Sequence, residues 1–167
     1  MASLTQATII KGTLIAGTLD ILSAFVFSAM PGGDVSKFAE KFDPAKVLRG
    51  VAMGPFGDGM ATGGAGAAAL GLLTHFVLMT VMVTLFVLAA KRVPFLTEQP
   101  IISGFVYGLI IYLFMYWVVL VNRYPGVEAR LGTFWGIGNA LFSHLLLVGL
   151  PIALVTARSF RSANTLN

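Results

Sequence analysis

The sequence predicts an all-α, polytopic membrane protein: four transmembrane helices in one bundle, with short interfacial helices in the first loop. Three observations carry this. The stretch Ala65 to Ala90 (AGAAALGLLTHFVLMTVMVTLFVLAA) holds no Asp, Glu, Lys or Arg, and it exceeds the roughly 20 apolar residues that a core of about 30 Å demands. Three further apolar runs flank it. The 167 residues are 57% hydrophobic and only 11% charged, with mean hydropathy +0.88, whereas soluble domains carry about 25% charge. The length suits a single domain over 1–167.

The first span is expected over Ile9 to Met30. Lys11 is too weak a basic region for a cleaved signal peptide, Asp20 interrupts the apolar centre, and Phe27 spoils the small-residue cleavage pattern. The run reads as a retained helix. Gly12, Ala16, Gly17, Asp20, Ser23 and Ala24 recur at helical spacing and give it a small, polar face for another helix.

The first loop, 31–63, changes character. It mixes Lys37, Lys41, Lys46 and Arg49 with Asp34, Glu40, Asp43 and Asp58. Val35, Phe38, Ala39 and Phe42 recur as in an amphipathic helix capped by Asp34. Asp43-Pro44 reads as an N-cap and a first-turn proline opening a second short helix toward Gly54-Pro55. Both should lie in the interface, apolar side toward the acyl chains. The glycines from Gly57 to Gly66 then allow a tight bend.

The second span, 64–90, carries His75 near its middle and closes on Lys91-Arg92. Pro94 and Pro100 limit helix in the next loop. The third span, 101–121, places Gly104, Gly108, Tyr112 and Tyr116 four apart, one stripe for a helix contact, with Trp117 and Tyr124 fitting an aromatic belt. Pro125-Gly126 signals a turn. The fourth span, 133–157, contains Asn139, His144 and Pro151, which should kink it, and a short polar tail, SANTLN, ends the chain.

Several function classes lose support here. The formal charge of +4 comes from basic residues at the ends of apolar runs, which suits membrane anchoring and not nucleic acid. The chain has no Cys, so disulfides, thiolate metal sites and a cysteine nucleophile drop out. No phosphate-loop, G-x-S-x-G or H-E-x-x-H pattern is present. The chain does not read as an enzyme, and no catalytic residue is assigned.

Orientation rests on the basic doublet. One side would hold Lys11, Lys91, Arg92, Arg158 and Arg161; the other Lys37, Lys41, Lys46, Arg49, Arg123 and Arg130. The bare count slightly favours the second side. Lys37, Lys41 and Lys46, however, lie well inside a long loop, whereas Lys91-Arg92 abuts a span, which predicts cytoplasmic termini.

Four polar residues reach one depth. Asp20 lies ten residues before Met30, His75 eleven after Gly64, Tyr112 nine before Val121 and His144 eleven after Thr133. At about 1.5 Å per residue each falls about 14 to 17 Å deep, near the midplane. Asp20, His75, Tyr112 and His144 therefore form the candidate buried polar cluster, with Asn139 as a further candidate. Three readings compete. The cluster fixes helix register, as interhelical glue worth about 1 kcal/mol per contact, in a structural or accessory-subunit role. Alternatively Asp20 and the histidines carry protons or a small solute. In the third, His75 and His144 ligate a b-type haem, or two His and Asp20 hold a metal; no cofactor is the expectation. The expected partners are the lipid bilayer, other membrane subunits, or a second copy through Gly104 and Gly108.

The Gly-rich first helix (KGTLIAGTLD), the loop ending in glycines, the histidine of the second helix and the last helix (SHLLLVGLPIALVTARSFR) together resemble small bacterial inner-membrane proteins of the YagU-like type. That resemblance implies a four-helix inner-membrane protein. It implies no activity and no functional residue.

Overall fold

The computed structural model describes residues 3–124 and 133–164. The turn at Pro125-Gly126, Arg130 and the end of the SANTLN tail lie outside them. Every regular element among the described residues is helical. Four helices are long and apolar enough to cross a membrane: Leu4–Ser28, Gly64–Ala90, Pro100–Arg123 and Phe134–Ser162. They are the first to fourth spans, and they make this a multi-pass membrane protein.

The first span starts at Leu4, earlier than the expected Ile9. Ser3 N donates to Gln6 Oε1 at 2.8 Å, and Gln6 N donates to Ser3 Oγ at 3.3 Å. This reciprocal capping box answers two of the amide donors that a helix N-terminus leaves open. Lys11 stays inside the helix with its side chain exposed, and a lysine there can lay its stem along apolar surface while its ammonium reaches water. The second span occupies Gly64–Ala90 as expected. The fourth runs beyond Ala157 to Ser162, because Arg158 and Arg161 are good helix formers and a polar sequence does not itself end a helix.

The third and fourth spans each widen into a π-helix, at Phe114–Leu120 and Phe142–Gly149. The second has a physical cause. Pro151 lacks an N–H, and its ring crowds the carbonyl four residues back. The helix meets it with wider turns, and Leu150 N donates to Leu145 O. These turns stand directly before the position where the sequence suggests a kink.

The described chain forms two compact units, one of residues 21–78, the other of the residues up to Asp20 together with those from Met79 onward. Within the first, Asp34 accepts from Ser36 N at 3.0 Å and Phe38 stacks on Phe42 at 5.2 Å. Asp43 Oδ1 accepts from Lys46 N at 2.9 Å and Pro44 opens a loop helix, Pro44–Phe56. Both caps match the sequence expectation. The loop helix has 13 residues, too few to cross a bilayer. It docks on the second span backbone to backbone: a Cβ on Gly71 would overlap the Leu48 carbonyl oxygen. Gly57 and Gly64 take φ of 90° and 64°, the left-handed region that glycine enters without strain, and so turn the chain between the two helices.

In the other unit, Ala16, Met79, Val83, Phe86, Val87, Ile111, Val148 and Ile152 form the buried apolar core. Gly12 admits Val83, whose Cγ1 would stand 2.8 Å from an added Cβ. Outward-facing residues stay apolar as well: Leu14, Leu85 and Ile110 are 56%, 58% and 55% exposed. Water would penalise that surface, and acyl chains do not.

Candidate functional site

The candidate site lies where the third and fourth spans meet. Gly104 and Gly108 stand one turn apart on the third span, and both are buried. A Cβ on Gly104 would come within 2.8 Å of Leu150 Cα, and one on Gly108 would overlap the His144 carbonyl oxygen. Gly149 returns the contact: its added Cβ would lie 2.6 Å from Gly108 N. Small residues let two backbones touch where lipid offers no hydrophobic drive to associate. The glycine pair is thus covered by a helix of its own chain.

Tyr112 and Tyr116 continue the same stripe. Their rings lie 5.1 Å apart. Both approach His144 edge-on, at 6.3 Å for Tyr112 and 5.4 Å for Tyr116. Tyr112 is buried and His144 is half-buried. His144 Nδ1 lies 2.9 Å from the carbonyl oxygen of Ala140. A carbonyl only accepts, so Nδ1 carries the hydrogen, and Nε2 is the nitrogen left to accept, donate or ligate. Asn139 sits one turn away, where its Oδ1 accepts from Ser143 Oγ at 3.3 Å.

Of the five candidates, Tyr112 and His144 are therefore brought together, with Asn139 nearby on the same helix as His144. His75 is buried in the second span, its ring edge-on to Phe76 at 5.2 Å. Asp20 is half-buried in the first span. Both Asp20 and His75 are engaged in interactions of their own. Among the described residues, no three His, Asp or Glu side chains gather to hold a metal ion.

The sequence reading places Tyr116 in the helix-contact stripe but not in the polar cluster, although the four-residue spacing carries the signal for its place beside Tyr112; it misses Gly149 altogether. Gly149 gives no such signal, because it follows His144 by five residues, the period of a π-helix and not of an α-helix.

Compared with protein-family models, with curated proteins and with solved structures, the chain has no match.

Proposed function

We propose that the protein is an integral inner-membrane helical bundle with a structural or accessory-subunit role, whose intramembrane polar groups hold helix register. One observation supports this best: several of those groups, though not Thr13 Oγ1 or Ser103 Oγ, are answered by nearby backbone. Thr8 Oγ1 donates to Leu4 O at 2.8 Å, Thr156 Oγ1 to Ile152 O at 2.8 Å, and His144 Nδ1 to Ala140 O at 2.9 Å. The Tyr107 hydroxyl crosses between spans to Met82 O at 2.6 Å. Satisfied groups of this kind stabilise a membrane bundle without chemistry.

In this reading both termini are cytoplasmic, because Lys91-Arg92 directly closes the second span, and the layout resembles the YagU-like inner-membrane proteins. The partners are the bilayer and other membrane subunits. The protein carries no cofactor: purified in detergent, it is expected to be colourless, without a Soret band or stoichiometric metal. Reporter fusions at Arg161 should give a cytoplasmic signal; a periplasmic one refutes the orientation.

Asp20 supplies the discriminating experiment. Asn keeps the shape and the hydrogen bonds but cannot ionise. In the structural reading Asp20→Asn keeps stability and phenotype, while Asp20→Leu loses about 1–3 kcal/mol. A second reading, proton transfer through Asp20, His75 and His144, is favoured by the setting of His144 against two phenols, within one π-helix and in ring contact with Tyr116 of the other, a backbone form frequent at functional sites. A stable but inactive Asp20→Asn variant would establish it over the first.

A further inference from the structure

An apolar groove of about 380 Å³ opens on the membrane-facing surface beside the end of the second span. It is lined by Phe86 and Ala89 of the second span, Phe95 and Leu96 of the following turn, and Val106 and Ile110 of the third span. Val106 and Ile110 are more than half exposed, so the groove is open to lipid along its length.

Two polar side chains line it, and they differ. The Tyr107 hydroxyl donates to Met82 O. Ser103 is 3% exposed, and its Oγ has no hydrogen-bond partner. A buried hydroxyl left unsatisfied in apolar surroundings is costly.

The rim carries charge. Lys91 and Arg92 lie between two lining residues, Ala89 and Phe95, in a tight turn where Arg92 N and Val93 N both donate to Ala89 O, at 2.9 and 3.0 Å. Both side chains are exposed, and neither forms an ion pair among the described residues.

We infer that this groove is a binding site for an acidic glycerophospholipid of the surrounding bilayer. The depth order fits that molecule. Lys91 and Arg92 stand at the helix end, where a lipid phosphate sits. Ser103 lies three residues inside the third span from Pro100, about 4.5 Å deeper, at the level of an ester carbonyl, which accepts its hydroxyl hydrogen. Val106 and Ile110 follow deeper still, along the path of an acyl chain. These exposed cations select a headgroup with net negative charge over a zwitterionic one.

The full chain reconstituted in vesicles of equal dioleoyl phosphatidylglycerol and dioleoyl phosphatidylcholine, then extracted in mild detergent, allows native mass spectrometry to count retained lipids. One phosphatidylglycerol should remain, preferred at least about fivefold over phosphatidylcholine. Lys91→Gln with Arg92→Gln should remove the preference. Val106→Trp should fill the groove and abolish retention, whereas Val118→Trp, at a site on the same span that is 50% exposed and outside the groove, should leave it unchanged. Circular dichroism confirms that each variant keeps its helices. Equal retention of the two lipids by the unaltered chain, or undiminished phosphatidylglycerol on Val106→Trp, overturns the assignment.

Discussion

Gly108 on the third span and His144 on the fourth are in backbone contact, so close that a Cβ on the glycine would overlap the histidine carbonyl oxygen. The contact fixes the height of His144 against Tyr112, one turn further along the glycine's own helix. A methyl group at Gly108 must push the spans apart. Gly108→Ala is expected to lower stability by about 1–3 kcal/mol, the usual cost of overpacking. Gly138→Ala, where an added Cβ meets nothing within 4 Å, should be neutral. Thermal unfolding of both in one detergent compares them, and equal melting temperatures would show that the contact does not limit stability.

The Tyr107 hydroxyl joins the third span to the second through Met82 O. Tyr107→Phe keeps the ring against Phe86, 5.0 Å away, and deletes only the donor. A loss of about 1 kcal/mol follows. Chemical denaturation in mixed micelles reads it; a loss above about 3 kcal/mol would mean that the ring itself has moved.

The Gly71 contact should govern where the loop helix sits. Gly71→Val places branched carbon against the Leu48 carbonyl and should release the Pro44–Phe56 helix while the second span stays helical. Trypsin then cuts faster at Lys46 and Arg49. Unchanged cleavage would show that the helix is held by other contacts.

Spin labels can test whether the first loop rests in the membrane interface. Val35 and Phe42 are 70% and 46% exposed although apolar, and Phe38 stacks on Phe42. A label at Phe38 should meet lipid-soluble oxygen and one at Lys41 a water-soluble relaxant. Equal water access at both positions argues against an interfacial helix.

Asp34 has a pH signature. Hydrogen bonds from Ser36, hydroxyl first and amide second, with the Lys37 ammonium 3.5 Å away, hold its carboxyl below the ordinary value of 3.8. A carboxylate depressed in the folded chain stabilises it above the unfolded value and loses that effect as pH falls through the folded one. Protection of the Ser36 amide against hydrogen exchange should therefore persist at pH 3.8 and fall only in more acid solution. In Asp34→Asn it should be independent of pH over the same range, once intrinsic exchange is corrected for.

Much of this architecture is legible in the sequence, for identifiable reasons. Lys91-Arg92 ends the second span because charge cannot follow the chain into lipid. Asp34 and Asp43 declare their caps because their acceptors lie two and three residues from the amides they bind. The stripe from Gly104 to Tyr116 is visible because a helix places every fourth residue on one side. The Ser3-Gln6 capping box is also written in the chain, but the polarity of its surroundings hides it from a hydropathy reading. The contacts of Gly149 and Gly71 are not legible. The first depends on a π-helix that Pro151 imposes on the turns before it, and the second on which of many glycines the loop helix meets. Depth along a helix can be counted from residue numbers, whereas direction around it after a π-turn cannot. That is why a shared level for Tyr112 and His144 could be read in advance, and their ring contact with Tyr116 could not.

The docking of Leu48 on Gly71 links the loop helix to bilayer thickness. Gly71 lies seven residues beyond Gly64, about 10 Å along the helix axis. A freely interfacial helix floats at whatever level the headgroups occupy, but this one is fastened to a set height on the second span. When the hydrocarbon layer thins or thickens, a spanning helix responds by tilting. The loop helix must then travel with it, sinking among the acyl chains or rising toward water. A change in bilayer thickness should therefore alter the depth of this short segment as well as the tilt of the span.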